Sequence, residues 1–349
     1  MGGNEALFPT LYARWAYQYI ISNQKEMFDL SRECLKRANA AGYDAGRMVG
    51  HRTHAVALLY RGDVEQSRFH AGQALQIYKP EEHIPLVARF GQDLKVQVIN
   101  YVAISDALLG NVDEALTIGA EAITHARSLN HANTLAYALW HIGVWLPCII
   151  RYPEAVHRYG TELLELVRTH RLRFWQGFAL PHVAINGYEK TRSEAAADAQ
   201  KAIDVWQREH NAKMIVPEML SRIAEAYLDD GNTSEAEKLL SDAAAMMDAS
   251  GEIYWQPELH RLRGRLAVMV VPDEPRAAVT EYERAIAIAQ ERNMKLFELR
   301  AATSFAQLLV DRDDRAHAKE VLAPVYDWFT GGFDKPDLLD AKAVLDGLG

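Results

Sequence analysis

The chain has 349 residues, 49% of them apolar and 24% charged, with a formal net charge of −9. This is the make-up of a soluble folded protein, and its acidic balance argues against a nucleic-acid backbone or an anionic membrane as the main partner. The two cysteines, Cys34 and Cys148, lie far apart and fit small core positions in a reducing cytoplasm better than a disulfide framework.

The start, Met1-Gly2-Gly3-Asn4-Glu5, has neither basic residues nor a following apolar run, so no secretory leader is expected. Ala6 stands where a myristoylation signal needs Ser or Thr. No stretch reaches 18 apolar residues, so no membrane-spanning helix is expected either.

Helical periodicity begins at Leu7. Leu7–Ser22 and Gln24–Ala41 read as a first helix pair. A recurrent signature then sets in. Three turns, Arg61-Gly62-Asp63, Leu109-Gly110-Asn111 and Asp230-Gly231-Asn232, each have a small residue seven positions before the glycine (Ala55, Ala103, Ala224) and another five after it (Ser67, Ala115, Ala236). These offsets are those of the small positions of a tetratricopeptide repeat, where two antiparallel helices approach closely across a short turn. The glycine suits a left-handed position, and the Asp or Asn after it suits an N-cap. Asn232 with Glu235, and Asp63 with Gln66, resemble capping boxes.

Less regular units fill the intervals. Pro153 and Pro275 sit in the first turns of helices, where a missing donor does no harm. Phe174–Tyr188 pairs with Ser193–Glu209, and Lys295–Val310 with Arg315–Trp328. The equivalent small residues Ser67, Ala115, Ala155, Ala197, Ala236, Ala278 and Ala318 recur with a period near 40. Residues 334–348, with Leu338, Leu339, Ala341 and Leu345, read as a helix that caps the last exposed apolar face. The expected fold is all-α: a right-handed superhelical array of about eight tetratricopeptide-like pairs, one solenoid over residues 1–349 with 334–348 as its cap. Solenoids escape the size limit of a single core because each unit packs on its neighbours.

Chemistry-bearing motifs are missing. No phosphate-binding glycine loop, dinucleotide fingerprint, nucleophile elbow or paired-histidine zinc motif occurs. His51 and His54 share a helix face but no further ligand is visible in sequence, and Asp311-Arg312-Asp313-Asp314 lacks the glycine and glutamate of a calcium loop. Neither a metal nor a cofactor is expected, and the chain is not expected to be an enzyme.

In tetratricopeptide arrays the first helix of each pair lines the concave face. Projecting its inward positions gives Arg52; Gln97 and Asn100; Tyr137 and Trp140; Phe178 and His182; Glu218, Ser221 and Glu225; Arg261 and Arg265; Arg300, Thr303 and Gln307. Arg52, Gln97, Asn100, Tyr137, Trp140, Phe178, His182, Arg261 and Arg265 are the candidate binding residues. This mixture of rings, amides and guanidiniums suits directional contacts to a protein partner or peptide, or to a small-molecule effector. Tyr137, Trp140, Trp145, Phe174, Trp175 and Phe178 form the aromatic cluster most suited to a pocket, although large aromatics at helical spacing also serve as core and Trp145 is expected to do so.

The stretches His70-Ala71-Gly72-Gln73-Ala74-Leu75-Gln76-Ile77-Tyr78-Lys79-Pro80-Glu81-Glu82-His83, Phe90-Gly91-Gln92-Asp93, Tyr254-Trp255-Gln256-Pro257-Glu258-Leu259-His260-Arg261-Leu262-Arg263-Gly264, Leu299-Arg300-Ala301-Ala302 and Leu322-Ala323-Pro324-Val325-Tyr326-Asp327-Trp328-Phe329-Thr330-Gly331-Gly332-Phe333-Asp334 carry a more specific likeness. They resemble the C-terminal tetratricopeptide region of bacterial class III adenylate/guanylate cyclase–AAA (STAND-like) ATPase proteins. The resemblance implies a regulatory, sensing role in the cytoplasm. It transfers no catalytic residue, because neither catalytic domain is present in this sequence.

Overall fold

The structure is a computed structural model and describes residues 7–187 and 190–348. The expectations for Met1–Ala6, and for Tyr188 as a helix end, lie outside these residues. Among the described residues every regular element is helical.

Eight helix pairs follow one another. Pair one is α1 (Leu7–Ile20) with α2 (Gln24–Ala41), and pair two is α3 (Asp44–Tyr60) with α4 (Val64–Ile77). Short helical turns, α5 (Pro80–His83), Ile84–Leu86 and α6 (Val87–Phe90), then lead into pair three, α7 (Leu94–Leu108) with α8 (Val112–Ser128). This insertion is why Ser67 and Ala115 are further apart than the other equivalent positions. In pair four the first helix runs from α9 (Ala132–Ala138) through a π-helical stretch, Leu139–Trp145, into α10 (Leu146–Ile149), and its partner is α11 (Pro153–His170). Pair five is α12 (Arg173–Ile185) with α13 (Arg192–His210), and pair six is α14 (Val216–Asp229) with α15 (Thr233–Ser250). Pair seven is α16 (Gln256–Val270) with α17 (Arg276–Glu291), and pair eight is α18 (Lys295–Asp311) with α19 (Arg315–Tyr326). The last helix is α20 (Pro336–Leu348).

The glycine turns behave as their sequence demands. Gly62, Gly110 and Gly231 have φ of 81°, 95° and 75°. The amides that follow donate back to the last helical turn, from Asp63 to Leu58, Asn111 to Asp106 and Asn232 to Tyr227, so helix-end carbonyls are satisfied. Asn232 caps α15 by accepting from the Glu235 amide. Asp63 does not cap α4; its carboxylate is held instead by Arg292 at 3.0 Å. A full capping box appears where none was expected, at Thr191 and Glu194, and starts α13 one residue early, at Arg192. Pro275 is the N-cap of α17 rather than a first-turn residue.

Ala55, Ala103, Ala115, Ala224, Ala236, Ala278 and Ala318 are fully buried where helices meet. In pair five the register is one residue off: Ala196 and Ala199 fill the contact and Ala197 is only half-buried. There α12 and α13 cross at Gly177, whose missing Cβ would lie 1.8 Å from the Trp206 indole.

The superhelix closes on itself. The Ile20 carbonyl, at the turn of pair one, accepts from the Lys213 and Met214 amides at 2.8 and 3.2 Å, at the junction of pairs five and six. The Tyr60 carbonyl, at the same place in pair two, accepts from the Ile253 amide at 2.8 Å, at the junction of pairs six and seven. Asp113 of pair three accepts from the Gly332 amide at 3.0 Å, and the Ile149 carbonyl of pair four accepts from Arg300 Nη2 at 2.6 Å. The first four pairs are therefore stitched to the last four. The inner faces of the first helices, which the repeat register places on the concave side, are packed into an interior that holds two chambers.

Candidate functional site

The π-helical stretch shapes the first chamber. In a regular α-helix, residues five apart lie on different faces. Here the Leu146 amide bonds to the His141 carbonyl, five residues back, and Trp140 and Trp145 stack nearly parallel, 6.4 Å apart at 4°. Such wide turns recur at functional positions in helices. Opposite them stand Tyr12, Trp15 and Tyr19 of α1, and Phe174, Trp175 and Phe178 of α12.

Together with Arg52, Tyr137, His141, Gln92, Asn133, Met214, Arg171 and Arg173 these rings enclose about 450 Å³. That falls within the size range of small-ligand sites. The walls carry three arginines and no carboxylate, in a chain whose net charge is −9. Arg171 and Arg173 are exposed at the rim, where Arg171 ends α11 with φ of 57°. Arg52 is only 3% exposed.

Arg52 is the anomaly of the interior. Its Nη2 donates to the Tyr137 hydroxyl at 2.8 Å, and its guanidinium lies over the Trp15 ring at 4.8 Å and the Tyr12 ring at 5.6 Å. Its Nε and Nη1 have no hydrogen-bond partner among the described residues, and no described carboxylate lies within ion-pair reach. The neighbouring Trp15 indole N–H is likewise buried and unpartnered among them. Arginine stays charged in proteins, and burying an unpaired charge costs several kcal/mol, on the order of a few cation–π contacts at ~1–2 kcal/mol each.

The second chamber, about 480 Å³, lies beyond the wall formed by Trp145 and His182 and is of the opposite character. Six arginines (Arg151, Arg192, Arg222, Arg261, Arg265, Arg300) face it, each with a carboxylate partner. Arg300 is the hub. It bonds Asp337 of α20 at 2.9 and 2.6 Å, Glu258 of α16 at 3.0 Å and the Ile149 carbonyl. Burial pushes the Glu258 carboxyl up, but the Arg261 and Arg300 guanidiniums outweigh it and hold the group down at about 2. Glu218 accepts from the Trp145 indole at 2.9 Å, from Arg222 Nε at 2.8 Å and from the Tyr254 hydroxyl.

The sequence-derived residues therefore fall into two groups. Arg52, Tyr137, Trp140 and Phe178 line the aromatic chamber, together with Phe174 and Trp175. Arg261 and Arg265 line the charged one. Gln97 and Asn100 are buried on α7; Gln97 Nε2 donates to Gln92 Oε1 at 2.9 Å, and neither side-chain polar atom of Asn100 has a partner among the described residues. His182 backs the aromatic wall against Trp140 at 4.9 Å, its ring held neutral by burial, with a value near 3. Trp145 is core, as its position suggests. His51 and His54 gain a third histidine, His70, with His51 Nδ1 and His70 Nδ1 2.9 Å apart. No group of described residues is arranged to hold a metal ion.

Sequence reasoning missed the α1 wall, although Tyr12, Trp15 and Tyr19 recur at i, i+3 and i+7, the spacing of a single helix face. It also missed Arg222, Glu258 and Asp337, which lie on the helices of successive pairs and the cap and are tied in through Glu218 and Arg300, contacts that a helical period does not show.

No family model and no curated protein matches this chain. Among solved structures it is similar to a Rap protein complexed with competence and sporulation factor (15% identity over 97% of this chain and 76% of that one, TM-score 0.46). It is similar to yeast Tom70 (14% identity, 93% of this chain and 60% of that one, TM-score 0.42). A third is a circular tandem repeat protein with novel repeat topology (13% identity, 98% of this chain and 84% of that one, TM-score 0.19). No described helix is long and apolar enough to cross a membrane.

Proposed function

We propose that this chain is a non-catalytic binding and regulatory module that takes its ligand into the aromatic chamber. The observation that carries this reading is the ring-lined space of about 450 Å³ holding a buried arginine without a carboxylate partner among the described residues. Its size suits a small effector or the end of a peptide, not a folded protein lying along the interior. The output passes to a protein partner, as the sensor arm of a signalling cyclase–ATPase type system. That assignment is supported by the likeness of residues 70–83, 254–264 and 322–334 to the regulatory repeats of such proteins.

The test is a thermal-shift screen of metabolites and short peptides on the intact chain, repeated on Trp140→Ala. A ligand at 100 times its dissociation constant adds about 2.7 kcal/mol of stability. Ligands that shift the wild type and lose their effect in the variant support the chamber. A ligand that shifts both proteins equally binds elsewhere and removes the reading. Affinity capture with and without such a ligand tests the partner: a cyclase or ATPase retained in a ligand-dependent way supports the sensor role, and its absence counts against that role.

A further inference from the structure

The chamber's walls also specify the chemistry of what it takes, provided that it is a ligand site as proposed above. Arg52 of α3 and Trp15 of α1 both line the space; two of the guanidinium nitrogens and the Trp15 indole N–H have no acceptor among the described residues and are closed off from solvent. A charge without a counter-ion among the described residues thus stands at the wall of a cavity whose other sides are largely rings. A planar guanidinium grips the two oxygens of a carboxylate in a fixed plane through Nε–H with Nη2–H or Nη1–H with Nη2–H, and Nη2 has a second N–H besides the one it gives to Tyr137. A cationic ligand would face three arginines and no acidic group at the walls, and a neutral one would leave the guanidinium without a counter-charge.

The contrast within the molecule sharpens the point. Each arginine lining the second chamber has a carboxylate from this chain against it, whereas among the described residues Arg52 has only a phenol and the faces of rings. Exposed Arg171 and Arg173 at the rim add a positive entrance to an otherwise acidic protein, which draws anions towards the opening.

We infer that the aromatic chamber binds a carboxylate carried on an apolar, ring-bearing body, with the carboxylate seated on the Arg52 guanidinium and the body among Trp140, Trp175 and Phe178. Two sources offer that chemistry: a free aromatic acid, and the C-terminal residue of a peptide ending in an aromatic side chain.

The experiment measures binding to the intact chain by calorimetry. The probes are indoleacetate and phenylacetate, their neutral amides, and the matching amine tryptamine. A tripeptide ending in Phe is compared as its free acid and as its C-terminal amide. Acids binding at least tenfold more tightly than their amides, with tryptamine weakest, is the expected result. Tightest binding by the peptide acid identifies a chain terminus as the source, and tightest binding by a free acid identifies a metabolite. In Arg52→Met, and in Arg52→Gln, which keeps an amide donor, the acid should fall to the level of its amide. The acid–amide comparison needs only the wild type, so it stands even if a variant folds poorly. Amides or amine binding as well as the acids, with binding lost in Trp140→Ala, would overturn the carboxylate assignment and leave the chamber as the ligand site. No binding by any probe would overturn the assignment and count against the chamber itself.

Discussion

Replacing Arg300 by methionine probes the closure of the superhelix most directly. Arg300 is buried, keeps a similar stem in the variant, and loses four hydrogen bonds: two to Asp337, one to Glu258 and one to the Ile149 carbonyl. Removing one partner of a buried pair costs about 3–5 kcal/mol, because the other charge is left behind. Here part of that loss is recovered. Asp337 still has Arg151 at 3.1 Å, and Glu258 still has Arg261 at 3.1 Å, so about 3 kcal/mol is the expected effect. The Ile149 carbonyl has no such replacement and adds roughly 1 kcal/mol. Urea unfolding followed by circular dichroism measures the total. Limited proteolysis shows whether α20, which Asp337 anchors, detaches first. A double-mutant cycle with Asp337→Leu should give a coupling of more than about 1 kcal/mol. A loss below ~1 kcal/mol, or strict additivity of the two substitutions, would refute the claim that this network holds the last pairs on the fourth.

The other predictions concern local packing and titration. Gly177→Ala should destabilise by roughly 2–3 kcal/mol despite the better helix propensity of alanine, because the new Cβ meets a buried indole; a thermal melt equal to wild type would show that α12 and α13 do not cross there. Burial, then the nearby Glu218 charge, pushes the Glu252 carboxyl from 4.5 to about 8. The native state therefore holds a proton that the unfolded chain has released, and stability falls as pH rises from about 4.5 to 8, by roughly 3–5 kcal/mol from this group. Burial has the opposite effect on His51 and His54 (about 4) and on His141 and His182 (about 3): the unfolded chain binds those protons first, so stability falls as pH drops below 6.5. Denaturation midpoints across pH should thus peak near about pH 7, and Glu252→Gln should flatten the slope above the peak and steepen the rise between about pH 4.5 and 6.5; an unchanged alkaline slope would sink the assignment. Burial pushes both thiols up to about 12, so Cys34 and Cys148 should ignore a disulfide reagent until the chain unfolds, and fast labelling of the native protein would contradict it.

Much of the helical layout is legible in the sequence because it is local. Gly62, Gly110 and Gly231 mark their turns since only glycine is comfortable at their dihedrals. Other turns use Ser22, Asn130, Arg151, Asn293 and Asp313 in left-handed conformations, and these carry no equally clear sign, so those boundaries drift by a residue or two. The inward register of Arg52, Tyr137, Trp140 and Phe178 follows from helical period and repeat offset. What period cannot reveal is which inner faces meet across the axis. Tyr12 and Trp15 reach Arg52 within the first two pairs, but Met214 enters the same chamber from the junction of pairs five and six, and Arg300 meets Ile149 from 151 residues away. The π-helical stretch is equally silent, since Leu139–Trp145 reads as ordinary helix until its carbonyls choose partners five residues on.

The stitching of the Ile20 turn to Met214, and of the Tyr60 turn to Ile253, carries a consequence for the descent of this chain. Open arrays gain and lose units by recombination without harm, because each unit answers only to its neighbours. Here each link counts the pairs between its two ends. Duplicating or deleting one unit of about 40 residues between them would carry Met214 and Ile253 past their carbonyl partners and break the chamber wall at the same stroke. Relatives that keep this interior should vary in their loops while holding the number of pairs fixed.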